Sequence, residues 1–114
     1  MLATLGDLVD DIVVQLAGPI NVATDTSSII SRRRGGSAAN VAATAGVLGQ
    51  PVRFLGQVGT DAVGAALVAE LKAAGVDTQF VHWSGSTGTI VVLVAPDAER
   101  SMLTDRRTCA ELDA

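Results

Sequence analysis

Residues 35–51 read Gly35-Gly36-Ser37-Ala38-Ala39-Asn40-Val41-Ala42-Ala43-Thr44-Ala45-Gly46-Val47-Leu48-Gly49-Gln50-Pro51. This is a helix with its punctuation written in. The glycine pair breaks the preceding chain, and Ser37 offers a side-chain oxygen as N-cap for the first free N–H groups. Ala38 to Leu48 is then an alanine-rich helical run that Gly49 and Pro51 stop. Directly downstream, Val52 to Val58 reads as a compact apolar strand. Gly59-Thr60-Asp61 leads into a second helix, with Asp61 as its cap and Gly75 at its end. Within that helix Val63, Leu67 and Leu71 recur every four residues and draw one apolar stripe, leaving Glu70 and Lys72 outside it. Such a stripe needs a sheet to cover. With Thr78 to Trp83 as the next strand, the alternation predicts an α/β fold: a partial Rossmann-type parallel sheet with helices.

Upstream of the glycine pair, Leu2 to Leu5 reads as a short strand ended by Gly6. Asp7, Asp10 and Asp11 form a polar break before Ile12 to Leu16 resumes the apolar pattern. Ala17-Gly18-Pro19 is a turn, the stretch to Ser28 is a polar loop, and Ser28 to Arg33 returns as a second strand. In the last third, Thr87 to Ala95 and Arg100 to Thr104 are two strands joined at Pro96-Asp97-Ala98-Glu99. Two hairpin segments that interrupt an α/β unit are expected to combine into a small sheet projecting from it, a flap over a cleft. The expected division is an α/β core from residues 1–9 and 35–83, and a small β lid from about 10–34 and 84–105. Ala110 to Ala114 reads as a helix that begins without a C-cap, as if the chain were interrupted.

Composition limits the functional classes. At 114 residues there is room for one domain at most. Hydrophobic residues make up 48% of the chain, but much of this is alanine, with two Phe, one Trp and no Tyr to fill a core. Mean hydropathy is +0.41, yet no apolar run approaches the roughly 20 residues that span a bilayer. The first residues meet Asp7 with no basic stretch ahead of an apolar one, unlike a secretory signal. A soluble protein with a cytoplasmic address and no membrane partner is expected. The single cysteine, Cys109, has no partner for an internal disulfide and reads as an ordinary reduced thiol. A net charge of −4 excludes a general nucleic-acid binder, which needs a basic face to displace counterions. The run Arg32-Arg33-Arg34 reads as solvated side chains on an exposed edge.

Three segments, in order and over nearly the whole chain, resemble the pfkB/ribokinase family of carbohydrate kinases. Gly6-Asp7-Leu8-Val9-Asp10-Asp11 is similar to that family's opening strand and substrate aspartate. Gly35-Gly36-Ser37-Ala38-Ala39-Asn40-Val41-Ala42 resembles its double-glycine and asparagine motif. Gly56-Gln57-Val58-Gly59-Thr60-Asp61-Ala62-Val63-Gly64 resembles the rest of its first signature. Ser86-Thr87-Gly88-Thr89 and the arm from Arg100 to Asp105 are similar to the segment that completes the family's lid. The resemblance implies a ribokinase-like fold. It also implies substrate contacts at Asp11, Gly35, Gly36 and Asn40, a sugar or nucleoside ligand, and a homodimer formed through the lid strands. For the full-length enzyme it implies ATP and Mg2+, with the γ-phosphate passing to a sugar hydroxyl.

The residue chemistry agrees with these expectations. A sugar's hydroxyls both donate and accept, so a site for it needs a carboxylate and an amide at fixed spacing, which Asp11 and Asn40 supply. Gly35 and Gly36 let backbone approach a ligand because neither carries a β-carbon. Read singly, the same residues are a turn, a polar helix residue and a solvated acid. Gly56, Gly59 and Gly64 read as structural, permitting a tight turn and close helix packing. His82 beside Trp83 reads as packing.

Departures from the family pattern are specific. Where ribose-specific members carry asparagine and lysine, this chain has Val9 and Ser37. Where the family often has Arg-Gly-Ala-Asn, it has Arg106-Arg107-Thr108-Cys109. The Gly-Ala-Gly-Asp stretch that supplies the family's catalytic aspartate and anion hole does not occur, nor does a Walker loop or G-x-G-x-x-G. Accordingly no catalytic residue, no metal ligand and no bound cofactor is expected of this chain, and it is expected to be inactive alone. The alternatives are a non-catalytic sugar-binding or lid-dimerising module and a fragment of a dinucleotide-binding oxidoreductase. The carbohydrate expectation requires Asp11 and Asn40 to converge on one hollow beneath the paired hairpins.

Overall fold

Strand β1 (Leu2–Leu5) runs parallel to β4 (Val52–Leu55), in register from Leu2 opposite Val52 to Leu5 opposite Leu55. The structure is a computed structural model that describes residues 1–107; Cys109 and the expected helix start at Ala110 lie outside the described residues. Helices α1 (Ser37–Val47) and α2 (Ala62–Ala73) pack with this pair around a core of Leu8, Val52, Phe54, Val58, Leu67, Val68, Leu71 and Val76. Helix α1 buries Ala39, Ala42 and Ala43 in it, at the i, i+3, i+4 spacing of one helical face, with Ala38 and Ala45 packed at its edge. Small side chains let α1 lie close, and Phe54, fully buried, fills the space; burying it stabilises by about 1.5–3 kcal/mol. The expected stripe on α2 is inside at Leu67 and Leu71 and half-buried at Val63. The α/β class is therefore as expected.

Three details differ from expectation. Gly36, not Ser37, occupies the N-cap of α1, with φ 104° and no side-chain cap bond. Lacking a β-carbon, Gly36 takes this positive φ at little cost and lets the Asp7 carbonyl oxygen come close, and with the cap there Ser37 falls inside the helix. Second, Val52 to Val58 is not one strand: it divides at Gly56 into β4 and β5 (Gln57–Val58). The halves have different partners, β4 pairing with β1 and β5 with the two-residue β6 (His82–Trp83), also parallel. Third, Thr78 to Trp83 is a strand only at its end. The Asp77 carboxylate accepts from the Gln79 N–H at 3.0 Å and from Arg53 Nε at 3.0 Å, and Val81 N–H donates to Thr78 O at 3.1 Å. Those bonds bend the chain where period-2 patterning implied extension. His82 and Trp83 are both exposed, so neither belongs to the buried core.

The hairpins join into one sheet of order β3-β2-β7-β8. Strand β2 (Val9–Leu16) pairs antiparallel with β3 (Ser28–Gly35) and parallel with β7 (Thr89–Val94), which pairs antiparallel with β8 (Arg100–Asp105). The acids that read as a polar break sit inside β2, because Asp10 and Asp11 stand opposite Arg34 and Arg33 of β3. Opposite charges across neighbouring strands offset what isolated acids would cost a strand. Around the β7–β8 turn, Ala95 N–H donates to Glu99 O at 2.9 Å and Ala98 takes φ 68°. Neither α1 nor α2 is long and apolar enough to cross a membrane.

Candidate functional site

The site is built where β3 ends and α1 begins. Gly35, the last residue of β3, stands opposite Val9, and the Asp11 carboxylate lies directly against it: a β-carbon on Gly35 would overlap both carboxylate oxygens. The missing side chain is therefore what leaves room for the acid. One residue on, Gly36 rests on Asp7, and its carbonyl accepts the Asn40 backbone N–H at 2.9 Å in the first turn of α1.

Asp11 is half-buried, and its Oδ1 is fully buried with no hydrogen-bond partner among the described residues. Burial pushes its carboxyl above the usual value of 3.8; the Arg33 guanidinium pulls it down and Asp10 pushes it up. Leaving a carboxylate oxygen without a donor is costly, so this atom is poised to accept one. Its neighbour Asp10 points to the opposite face of the sheet by strand alternation, where it is buried and pairs with Arg32 Nε at 3.6 Å.

Asn40 is exposed and lines a hollow of about 430 Å³ with Val41, Thr44, Ala45 and Leu48. Asp11 is not among that hollow's walls and no hydrogen bond joins the two side chains among the described residues, so the expected convergence of Asp11 and Asn40 on one hollow is not what the structure shows. Asp11, Gly35, Gly36 and Asn40 are thus linked through the glycine turn: Asp11 by contact, Asn40 by a backbone bond. The basic run is not simply solvated, since Arg34 lies partly buried between the helices, with its Nε unpartnered among the described residues.

A second cluster was only half legible. Asp61 caps α2 as expected, accepting from Gly64 N–H at 2.7 Å. The same carboxylate takes the Thr87 hydroxyl at 2.6 Å on Oδ1 and the Thr87 N–H at 2.9 Å on Oδ2, while Thr87 Oγ1 accepts from Gly59 N–H at 3.0 Å. These bonds, the Thr87 hydroxyl's first, hold the Asp61 carboxyl below the usual value. Gly59 and Gly64 pack against Thr87, which gives both glycines the structural role their sequence context implied. Nearby, Arg106 donates to Asp7 Oδ1 at 2.7 Å, tying the end of β8 to the turn after β1. Arg107 takes φ 45° and pairs with Asp105 at 2.7 Å.

No three His, Cys, Asp or Glu side chains gather into a metal-ligating group among the described residues. The donors at the site are a carboxylate and an amide, and a carboxylate repels a triphosphate. Asp11, Gly35, Gly36 and Asn40 supply no cationic side chain for the phosphates of ATP, while the Asp11 carboxylate is one oxygen ligand of the kind magnesium takes.

Comparison with known proteins bears on the fold and the family. The α/β body with its appended four-stranded sheet is the ribokinase-like fold. Arabidopsis thaliana ribokinase, solved with ribose and ATP, superposes with a TM-score of 0.82 at 27% identity, over 93% of this chain and 36% of its own. Giardia lamblia ribokinase gives 0.84 at 22% identity, over 93% and 36%. Halothermothrix orenii fructokinase gives 0.83 at 23% identity, over 98% and 40%. The chain thus spans a little over a third of the length of these structures. A search of curated protein sequences finds no match. The model of the pfkB family carbohydrate kinases matches residues 1–114, and the chain belongs to that family.

Proposed function

We propose that this chain forms the sugar-binding part of an ATP-dependent carbohydrate kinase, with Asp11, Gly35, Gly36 and Asn40 contacting a sugar or nucleoside. The observation that supports this most directly is the buried Asp11 Oδ1, which lacks a donor among the described residues and would be satisfied by a sugar hydroxyl. Gly35 keeps space open at the carboxylate, and the Asn40 amide, one helical turn from Gly36, offers both a donor and an acceptor. The ligands of the solved relatives support the same class.

The complete reaction would move the γ-phosphate of ATP to a sugar hydroxyl, with the four-stranded sheet acting as a lid that excludes water. An aspartate placed to take the hydroxyl proton and an anion hole are needed for that step. No Gly-Ala-Gly-Asp stretch provides them within these residues, so the chain alone binds without turnover. Its location is cytoplasmic. Calorimetric titration with D-ribose, D-fructose and adenosine tests the assignment: binding of at least one, abolished by Asp11→Ala, is expected. No heat with any of them, or binding indifferent to Asp11, refutes it.

The lid strands also support a homodimer. Ile30 and Leu103, on the outer strands β3 and β8, share one face of the sheet by register and are 65% and 59% exposed. Exposed apolar side chains on edge strands favour pairing with a second copy. Sedimentation should show dimers that Ile30→Lys with Leu103→Lys converts to monomers; a monomeric parent chain refutes this.

A further inference from the structure

We propose that the Asp61–Thr87 clamp is a positioning device that sets the four-stranded sheet, and with it the Asp11 carboxylate, relative to helix α1 and Asn40. It deepens the sugar-site assignment above and rests on it for its binding readout alone.

The connection into β7 is fastened at Ser84, Gly85 and Thr87 to the segment from β5 to the cap of α2. Ser84 N–H donates to Val58 O at 2.9 Å, Thr60 N–H to Gly85 O at 2.9 Å, and Thr87 makes its three bonds to Asp61 and Gly59. Immediately afterwards the chain leaves the body: Gly88 O accepts the Asp10 N–H at 2.9 Å, and β7 then pairs with β2 from Thr89 opposite Asp10. Thr87 is therefore the last residue of this connection held by the α/β body before the sheet begins. It is buried, and its hydroxyl both donates to Asp61 and accepts from Gly59, so its single donor and one of its lone pairs are committed to the clamp.

Asp11 stands opposite Ile90, three residues beyond Thr87. At about 3.3 Å per residue the lever from clamp to carboxylate is roughly 10 Å, so a rotation of about 6° at Thr87 moves the carboxylate by about 1 Å. Binding constellations tolerate about 0.5 Å. On the β2 side the sheet is held by Leu8, buried in the core directly before β2, and by the partly exposed Arg106–Asp7 pair, so the clamp fixes the β7 side.

The test uses the 114-residue chain with Cys109→Ser, carrying spin labels at Ser31→Cys on β3 and Ala69→Cys on α2, both exposed positions. In Thr87→Val, which keeps the side chain's shape and removes its hydroxyl, the label-to-label distance distribution should shift or broaden, and Thr87→Ser should restore it. Affinity for whichever of D-ribose, D-fructose or adenosine the parent binds should fall at least about 10-fold in Thr87→Val, the size of one lost charge-assisted hydrogen bond. It should recover in Thr87→Ser. Arg53→Ala, which removes a pairing with Asp77 remote from the clamp, controls for general loss of stability and should leave both readouts alone. An unchanged distance distribution in Thr87→Val overturns the proposal, as does a changed distribution with unchanged affinity. Should the parent chain bind none of the three ligands, the sugar assignment fails and the distance measurement by itself decides the clamp.

Discussion

Substituting alanine at Gly35 and at Gly36 should separate binding from folding at adjacent residues. Gly35 lies in β3 with no left-handed backbone to preserve, and the nearest atoms that a new methyl would overlap are those of the Asp11 carboxyl group. That group can rotate away, at about 0.5–1.5 kcal/mol for an off-rotamer side chain. Reduced freedom of the unfolded chain returns about 0.4–1 kcal/mol. The net change in stability of Gly35→Ala is therefore within about 1 kcal/mol, or roughly 3–6 °C in melting temperature for a domain of this size. The displaced carboxylate no longer meets its ligand, and losing a charged hydrogen bond weakens sugar binding by roughly 10- to 150-fold. At Gly36 the obstruction is the Asp7 backbone carbonyl, which cannot rotate away, and φ is 104°. Left-handed strain of about 1–2 kcal/mol adds to about 1–3 kcal/mol of backbone displacement. Gly36→Ala thus costs about 2–5 kcal/mol, a large share of a small domain's stability. Urea unfolding and calorimetric titration of both variants check this. Parent-like ligand affinity in Gly35→Ala, or a larger loss of stability there than in Gly36→Ala, refutes the reasoning.

Three further outcomes are expected. Because burial raises the Asp11 carboxyl above 3.8, the stability linked to its protonation is present below that pH and lost as pH rises through the folded value. Asp11→Asn should therefore melt higher than the parent at pH 7, with a gain that shrinks toward pH 3, while sugar binding is lost. Asp61 has the opposite sign: its folded value lies below 3.8, so its contribution is present above that pH and lost as pH falls through the folded value. Asp61→Ala should cost about 0.5–2 kcal/mol at pH 7, the value of a helix cap, and less at pH 2, read from urea midpoints. Ala98, at φ 68° in the β7–β8 turn, should gain about 1 kcal/mol on Ala98→Gly by relief of left-handed strain, seen as a higher thermal midpoint.

Much of the fold was legible because its signals are local. The glycines and proline around α1, the four-residue stripe on α2 and the Asp61 cap each depend on neighbours a few residues away. The errors fall where a distant partner overrides local pattern. Asp10 and Asp11 read as a break because the arginines that stand opposite them come more than twenty residues later. Val52 to Val58 divides because its halves meet two different strands, and His82 lost its expected packing because β6 ends at the surface. Ser37 lost its cap role to a contact between Gly36 and Asp7 that no spacing rule announces.

For the site, sequence by itself determined the residue types: a carboxylate, a glycine pair and an amide, in the order that places the chain in its family. Only tertiary structure decided that Gly35 leaves room for the Asp11 carboxylate, that one oxygen of that carboxylate is buried without a donor among the described residues, and that Asp61 reaches beyond its own helix to hold Thr87. The physical reason is that hydrogen-bonding capacity and helix punctuation belong to single residues and their near neighbours. Burial, overlap and unsatisfied polarity belong to pairs that meet only once the chain has folded.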